Sequence, residues 1–322
     1  MIRILSFVLL AVLLISCKGK KEAPSATIDI QEQSKPVQTQ ALLLVQSHEF
    51  DPAQKNNISG DYGAKAALVV PQNLAAQSKW IMFEGPVLEN DLVAYRYYAD
   101  SRHRFDIYGK TVSDLVMDTV SWDYHDIKNW GSDILKVGNS LGIGSPAIYF
   151  EDSLYTLSDC SRKEIEIVQN GPQASMIRTI FTGLNIAGQQ FDLVQDWSIR
   201  AGQPYATIKL KVVNGELPEG MQFATGIVKH LPEVVVKSSD AAFYAMNWGI
   251  QTFHDDNMGM AIVAPEKYQP AMTEDQLNHL VLFGKDHSEV EYSFVSVWER
   301  DLNKVTTAEA FMSLVTNIKT QE

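Results

Sequence analysis

The chain has 322 residues, of which 45% are hydrophobic, and a formal net charge of −12 at pH 7. Such an acidic chain repels the phosphate backbone, so the charge excludes nucleic acid as a general partner. An anionic polysaccharide would also be repelled at long range, and would need a local cluster of Arg, Lys and His in its binding site.

The N-terminus has the pattern of a bacterial lipoprotein signal. Arg3 precedes an apolar run at 4–15, which is shorter than the roughly 20 residues of a membrane-spanning helix and fits a secretory signal. The sequence LISC at 14–17 resembles a lipobox, in which Cys17 is acylated and becomes the mature N-terminus. A plain signal peptide or a short anchor helix is the alternative.

The other cysteine, Cys160, would then have no disulfide partner in the chain. Its surroundings match no catalytic cysteine pattern, so we expect a small buried or half-buried residue. Lys18 follows the lipidated position, where an aspartate would favour retention in the inner membrane. We therefore expect a lipid-anchored protein of the cell envelope, attached to the outer membrane and facing the periplasm.

Residues 17–40 form a polar segment with few large apolar side chains. Such a segment buries too little surface to offset its ordering entropy, so we interpret it as a flexible tether. Residues 41–322 show no internal repeat and are predicted to form one domain.

Apolar and polar residues alternate with period two along most of this domain, and turn residues separate the segments. This pattern predicts many short strands in a large antiparallel β-sandwich rather than βαβ units. The predicted strands lie at 42–45, 66–70, 80–83, 93–98, 105–108, 164–168, 176–181, 191–199, 208–212, 223–228, 260–263, 280–283 and 290–298.

One helix is predicted, at the C-terminus. Thr306 and Glu309 have the spacing of a capping box. Phe311, Leu314, Val315 and Ile318 recur with helical spacing, so we expect this helix to pack on an outer sheet face.

The common catalytic motifs (GxSxG, HExxH, a phosphate-binding glycine loop and CxxC) do not occur. Polar and aromatic residues are instead concentrated at 83–144, where a strand would place Arg96 and Tyr98 on one face. Arginine beside tyrosine suits the carboxylate of an acidic sugar. A structural Arg–Asp pair explains the same pattern equally well, with three candidate partners: Glu89, Asp100 and Asp106.

His125 lies in the acidic and aromatic segment WDYHD at 122–126. A histidine flanked by acids can transfer protons near neutral pH. Two alternatives remain: a surface histidine in an acidic loop, or a cation site formed with Asp123, Asp126 and Asp133, whose spacing is not diagnostic. No cofactor is predicted, and a divalent cation stays open.

The glycines at 131, 138, 142 and 144 predict sharp turns in a defined loop. Lys136, between them, is a second candidate for neutralising a substrate charge. His230 and His254 follow strands and could reach a concave face, although each by itself is more often a structural histidine.

Several runs in this region resemble a Bacteroidota family of secreted proteins often encoded among polysaccharide-degradation genes. They are Glu-Gly-Pro at 84–86, VAYR at 93–96, DIYGK at 106–110, and the segment from His125 through Trp130-Gly131 to LKVG at 135–138. The resemblance is strongest over 83–147 and implies a fold similar to the galactose-mutarotase superfamily of β-sandwiches. Within that setting the chain looks most like the ulvan oligosaccharide dehydratases of marine bacteria.

The resemblance implies that water is eliminated from a non-reducing-end glucuronic or iduronic acid, giving a 4,5-unsaturated uronyl end. Arg96 would neutralise the carboxylate, His125 and Tyr98 would act as acid and base, and Arg102 and Trp130 would help to bind the sugar. The expected partner is thus an anionic oligosaccharide, and the membrane is contacted through the lipid anchor only. The alternatives are an endo-acting polysaccharide lyase, a non-catalytic sugar-binding lipoprotein and a mutarotase-like isomerase.

Overall fold

The structure is a computed structural model that describes residues 38–213 and 215–320, and β-strands are its main regular elements. The signal segment, Cys17 and nearly all of the tether lie outside these residues, and those expectations stay predictions. Within the described residues no helix has the length and apolar character needed to cross a bilayer.

The described elements include one α-helix, α1 (Ala308–Thr316), and three short 3-10 helices at Pro52–Gln54, Met82–Glu84 and Glu266–Tyr268. The strands are β1 (Thr39–Leu42), β2 (Leu44–Gln46), β3 (Tyr62–Ala64), β4 (Ala67–Val69), β5 (Val87–Asn90), β6 (Val93–Tyr97), β7 (Phe105–Lys110), β8 (Gly131–Asp133), β9 (Ala147–Phe150), β10 (Ser153–Thr156), β11 (Cys160–Asn170), β12 (Ala174–Ile186), β13 (Gln189–Arg200), β14 (Tyr205–Val213), β15 (Gln222–Val228), β16 (Val235–Ser238), β17 (Ala242–Ile250), β18 (Asn257–Pro265), β19 (Ala271–Glu274), β20 (Asn278–Leu282) and β21 (Glu289–Trp298).

Three large sheets carry the fold. A nine-stranded sheet has the order β16-β17-β18-β21-β14-β13-β12-β11-β4, and two five-stranded sheets have the orders β1-β5-β6-β7-β8 and β10-β9-β15-β20-β19. The strand pairs within all three are antiparallel. The predicted all-β class with large antiparallel sheets and a C-terminal helix is confirmed.

The core lies between one face of the nine-stranded sheet and the two smaller sheets. The ring of Trp197 on β13 lies 5.7 Å from that of Tyr97 on β6 and 5.0 Å from that of Phe105 on β7. Tyr95 packs against Phe294 of β21 at 4.8 Å. Because side chains alternate along a strand, the even-numbered residues of β6 and β7 point away from this core.

The helix α1 covers the opposite, outer face of the nine-stranded sheet, as expected. Phe311 and Val315 are buried there with Val263 and Val297. The predicted capping residue was wrong by one position, because the Thr307 hydroxyl, rather than that of Thr306, accepts a hydrogen bond from the Ala310 N–H.

The strand predicted at 80–83 is wrong. The chain forms a 3-10 helix at Met82–Glu84, inside which Phe83 has a left-handed φ of 61°. A run of apolar residues does not indicate this turn, because the partner of the Phe83 carbonyl oxygen, the Arg96 side chain, is brought to it only in the folded protein. The other predicted strands overlap strands of the structure.

The core contacts give a stability prediction. Trp197→Ala should lower the free energy of unfolding by ~3–5 kcal/mol, because it removes a fully buried ring through which the nine-stranded sheet packs on β6 and β7. Chemical denaturation followed by circular dichroism measures this loss. Ile250→Ala is the control, since Ile250 is 63% exposed and its truncation should change stability by no more than ~0.5 kcal/mol.

Candidate active site

Arg96 occupies the centre of the site. It lies on β6 directly opposite Asp106 on β7, and only 1% of its surface is exposed. The predicted alternation is confirmed here: Tyr95 and Tyr97 face the core, whereas Arg96 and Tyr98 line a cleft on the other side.

Every N–H group of Arg96 meets a protein acceptor. Nε and Nη2 donate to Asp106 Oδ2 at 3.1 and 2.7 Å, and Nη2 also donates to Asp133 Oδ2 at 2.8 Å. Nη1 donates to the Phe83 carbonyl oxygen at 3.1 Å and to the Tyr124 hydroxyl at 2.9 Å. Of the two interpretations of Arg96, this geometry matches the structural pair with an aspartate.

Three tyrosine rings surround the guanidinium, with centroids 4.8, 5.2 and 5.0 Å from Cζ for Tyr98, Tyr108 and Tyr124. The hydroxyl of Tyr98 donates to Asp106 Oδ2 at 2.6 Å. Burial raises the pKa of Tyr98 well above its usual range, so this phenol keeps its proton at neutral pH and can act as a proton donor.

Asp133 is the second carboxyl group bound by Arg96. Burial, followed by repulsion from Asp106, raises its pKa well above the ordinary value. Its Oδ1 atom is buried and has no hydrogen-bond partner in the part of the chain that is described. Asp133 therefore holds a proton over a pH range in which a free aspartate is ionised.

His125 stands at the edge of this cluster, with Nδ1 3.4 Å from Asp133 Oδ2 and 53% of its side chain exposed. Partial burial and the positive charge of Arg96 lower its pKa. The imidazole is therefore neutral at neutral pH, which is the form that a general base requires.

These groups line a cleft of ≈ 490 Å³. Five of the eight sugar-site residues expected from the sequence meet there: Arg96, Tyr98, Arg102, His125 and Lys136. Asp106, Asp133 and Phe253 line the same cleft.

The two remaining cations of the cleft differ in availability. Arg102 stacks on the Tyr98 ring at 3.8 Å and is bound through Nε and Nη2 to Asp100 and through Nη2 to Glu84. Lys136 is exposed, and its Nζ lies 5.3 Å from the centre of the Phe253 ring. No carboxylate of the described residues forms an ion pair with Lys136, so it is the cation that is open to an anionic ligand.

Three expected residues lie outside the lining of the cleft. Trp130 packs 6.2 Å from the Tyr108 ring. His230 hydrogen-bonds the carbonyl oxygen of Lys136 at 2.8 Å, and His254 hydrogen-bonds the Ser132 hydroxyl at 2.9 Å. These side chains support residues of the site rather than line it.

The backbone beside the site adopts rare conformations. Phe83 and Glu84 have φ values of 61° and 62°, and this turn directs the Phe83 carbonyl to Arg96 and the Glu84 carboxylate to Arg102. The turns predicted at the four glycines are confirmed by positive φ values. At Gly131 a Cβ atom would collide with the carbonyl oxygen of Gly109, so glycine permits the close approach of β8 to β7.

Three acidic or aromatic residues of the cleft have no catalytic or sugar-binding role predicted from the sequence: Asp106, Asp133 and Phe253. The sequence predicts Asp106 only as a structural partner of Arg96 and Asp133 only as a cation ligand. It gives no signal for Phe253, because the hairpin of this residue lies far along the chain from 83–144. Glu89, a candidate partner of Arg96, instead forms a fully buried ion pair with Lys110 at 2.7 Å.

The expected alternative of a cation site gains no geometric support. Among the described residues no group of three or more His, Cys, Asp or Glu side chains could hold a metal ion. Asp123 and Asp126 instead pair with Lys128 at 2.7 and 3.3 Å.

Comparison with known proteins gives a family. A family model described as a domain of unknown function (DUF4861) matches residues 13–321. A search of curated proteins found no match.

Among solved structures, the chain is similar to an α-N-acetylgalactosaminidase from Bifidobacterium bifidum. The complex with Gal-NHAc-DNJ is 9% identical with a TM-score of 0.38, covering 70% of this chain and 37% of that chain. The complex with GalNAc is 10% identical with a TM-score of 0.31, over 70% and 37%. The chain thus spans well under half of the length of these structures.

The raised pKa of Asp133 gives a prediction about stability and pH. Between the unfolded-state pKa, near 4, and the folded-state pKa, the native protein binds a proton that the unfolded chain releases. The free energy of unfolding of the wild type should therefore fall as pH rises through this range. Asp133→Asn lacks the titrating group, so its unfolding free energy should fall less steeply between about pH 5 and about pH 8.

Urea denaturation at both pH values measures the difference. Asp118→Asn, at an exposed position, is the control and should keep the wild-type pH dependence. An equal pH dependence in Asp133→Asn and the wild type would show that Asp133 titrates normally.

Proposed function

Since the chain belongs to the DUF4861 family, whose function is unknown, we propose its activity from its own site. It is a carbohydrate-active enzyme that removes water from the non-reducing-end glucuronic or iduronic acid of ulvan-type oligosaccharides. The observation that carries this proposal is the position of His125, whose Nδ1 lies 3.4 Å from Asp133 Oδ2, at the edge of a cleft that also contains Lys136, a cation without an ion pair among the described residues.

Substrate binding begins with the charge of the uronic acid. The ammonium of Lys136 pairs with the sugar carboxylate, and this contact makes the C5 proton more acidic because the negative charge developing on the carboxylate is stabilised. Arg96 was the expected neutraliser. Its N–H groups are bound by protein acceptors, so Lys136 takes that role in the proposal and Arg96 becomes a positioning residue.

Elimination then needs one base and one acid. His125 removes the C5 proton, the C4–O bond breaks, a double bond forms between C4 and C5, and the departing hydroxyl takes a proton to leave as water. Tyr98 is the donor in the proposal, because its protonated phenol lines the cleft and Arg96 Nη2, 3.3 Å from the hydroxyl oxygen, stabilises the phenolate that forms. The lowered pKa of His125 and the raised pKa of Tyr98 support this division into base and acid, which the sequence left open.

A direct assay tests the reaction. Incubating the protein with saturated, uronic-acid-ended ulvan oligosaccharides should raise the ultraviolet absorbance while the product loses the mass of one water. Chain cleavage would indicate a lyase instead. Binding without any change of mass would indicate a sugar-binding protein and contradict elimination.

Two substitutions test the assigned roles in the same assay. His125→Ala should lower kcat by roughly 10²–10⁴-fold, the usual contribution of a general base. Lys136→Gln should lower kcat/KM by about tenfold or more, since it removes one charge contact. His287→Ala is the matched control, because His287 packs on Tyr268 outside the cleft, and it should keep wild-type activity. Wild-type activity in His125→Ala and in Lys136→Gln would contradict both assigned roles.

We also propose that Cys17 carries a lipid that holds the enzyme at the outer membrane. In a bacterial host supplied with labelled fatty acid, the wild type should become labelled and sediment with membranes. Cys17→Ser should lose the label, whereas Cys160→Ser, which changes the other cysteine, should keep it. A label that persists in Cys17→Ser would contradict lipidation at this residue.

A further inference from the structure

We propose that Phe253 forms a second sugar subsite, so that the enzyme recognises an oligosaccharide whose penultimate sugar stacks on this ring. The proposal rests on the proposed function, because it takes the terminal uronic acid to lie between His125 and Lys136. It adds a specificity-determining residue and a minimum length for the preferred substrate.

The position of Phe253 is fixed by its hairpin. The residue lies in the loop that joins β17 and β18, and its backbone N–H donates to the Ile134 carbonyl oxygen at 2.7 Å. On either side of it, Thr252 forms a bridge with Leu135, and His254 hydrogen-bonds the Ser132 hydroxyl at 2.9 Å. The hairpin is therefore attached to the segment that carries Asp133, and the ring keeps its place relative to the site.

Phe253 remains 45% exposed, although it lines the cleft. Its ring stacks on the His125 imidazole with centroids 5.7 Å apart and an interplanar angle of 25°. The Lys136 Nζ atom lies 5.3 Å from the centroid of the same ring. The ring therefore adjoins both groups that hold the terminal uronic acid in the proposal, and its exposed part remains available to the next sugar. In the proposal, a sugar on this exposed part is the neighbour of the uronic acid that reacts.

Pyranose rings present C–H groups on at least one face, and an aromatic ring buries such a face well. The terminal uronic acid carries the charge, which Lys136 can bind, whereas the next sugar offers its apolar face to Phe253. The cleft then combines a polar subsite with an apolar one. This arrangement favours an oligosaccharide over a single uronic acid.

The test compares substrates of two lengths. For each protein, kcat/KM is measured with a saturated, uronic-acid-ended disaccharide and with the methyl glycoside of the same uronic acid. The wild type should prefer the disaccharide. Phe253→Ala should reduce this preference by about tenfold, mostly through KM, because one stacking contact is lost, whereas Phe253→Tyr should retain it.

Ile250→Ala is the matched control, because Ile250 is an exposed apolar residue at the end of β17 that precedes the same loop, and it should keep the wild-type preference. Equal losses on both substrates in Phe253→Ala would mean that the ring only supports His125, and would overturn the proposal. Thermal denaturation of each variant checks that the fold is intact.

A binding measurement separates this proposal from the proposed reaction. If no substrate is converted, calorimetric titration with the same disaccharide still reports on the subsite. Weaker binding by Phe253→Ala than by the wild type and Ile250→Ala would support the subsite while contradicting elimination. Equal binding by all three proteins, or no binding by any, would overturn the subsite.

Discussion

The buried guanidinium of Arg96 is the interaction on which the site depends. It joins β6 to β7 through Asp106, to the end of β8 through Asp133, and to the turn before β5 through the Phe83 carbonyl. Removing one partner of a buried ion pair leaves an uncompensated charge, at a cost of ~3–5 kcal/mol. The segments that carry Tyr98, Asp106 and Asp133 are therefore linked through one side chain.

This arrangement also controls the protonation of its neighbours. One guanidinium contacts two buried carboxyl groups, and the cost of burying a second negative charge is avoided when Asp133 keeps a proton. Together with partial burial, the same positive charge lowers the pKa of His125. Near neutral pH the site therefore contains a neutral imidazole at His125 and a neutral phenol at Tyr98. In the proposed reaction the substrate brings the remaining charge, and Lys136 is the group that meets it.

The sequence predicted what depends on periodicity and missed what depends on distant contacts. Alternation correctly gave the antiparallel sheets and the shared face of Arg96 and Tyr98, and helical spacing gave the C-terminal helix. It could not choose among the possible carboxylate partners of Arg96, because that choice follows from the register of β6 with β7. The left-handed turn at Phe83 and the position of Phe253 in the cleft likewise arise from tertiary contacts that no local pattern encodes.

Lys136 is exposed in a chain whose net charge is −12. For the anionic oligosaccharide of the proposed function, salt should therefore affect encounter and retention unequally. Mobile ions screen the long-range repulsion between an acidic protein and an anionic sugar, because the Debye length falls to about 3 Å at 1 M salt. A contact between the ammonium and a carboxylate within the cleft is weakened less. A higher salt concentration should thus speed the association of the protein with the sugar, while it changes the contact that holds the bound sugar little. This charge distribution suits surroundings of high ionic strength.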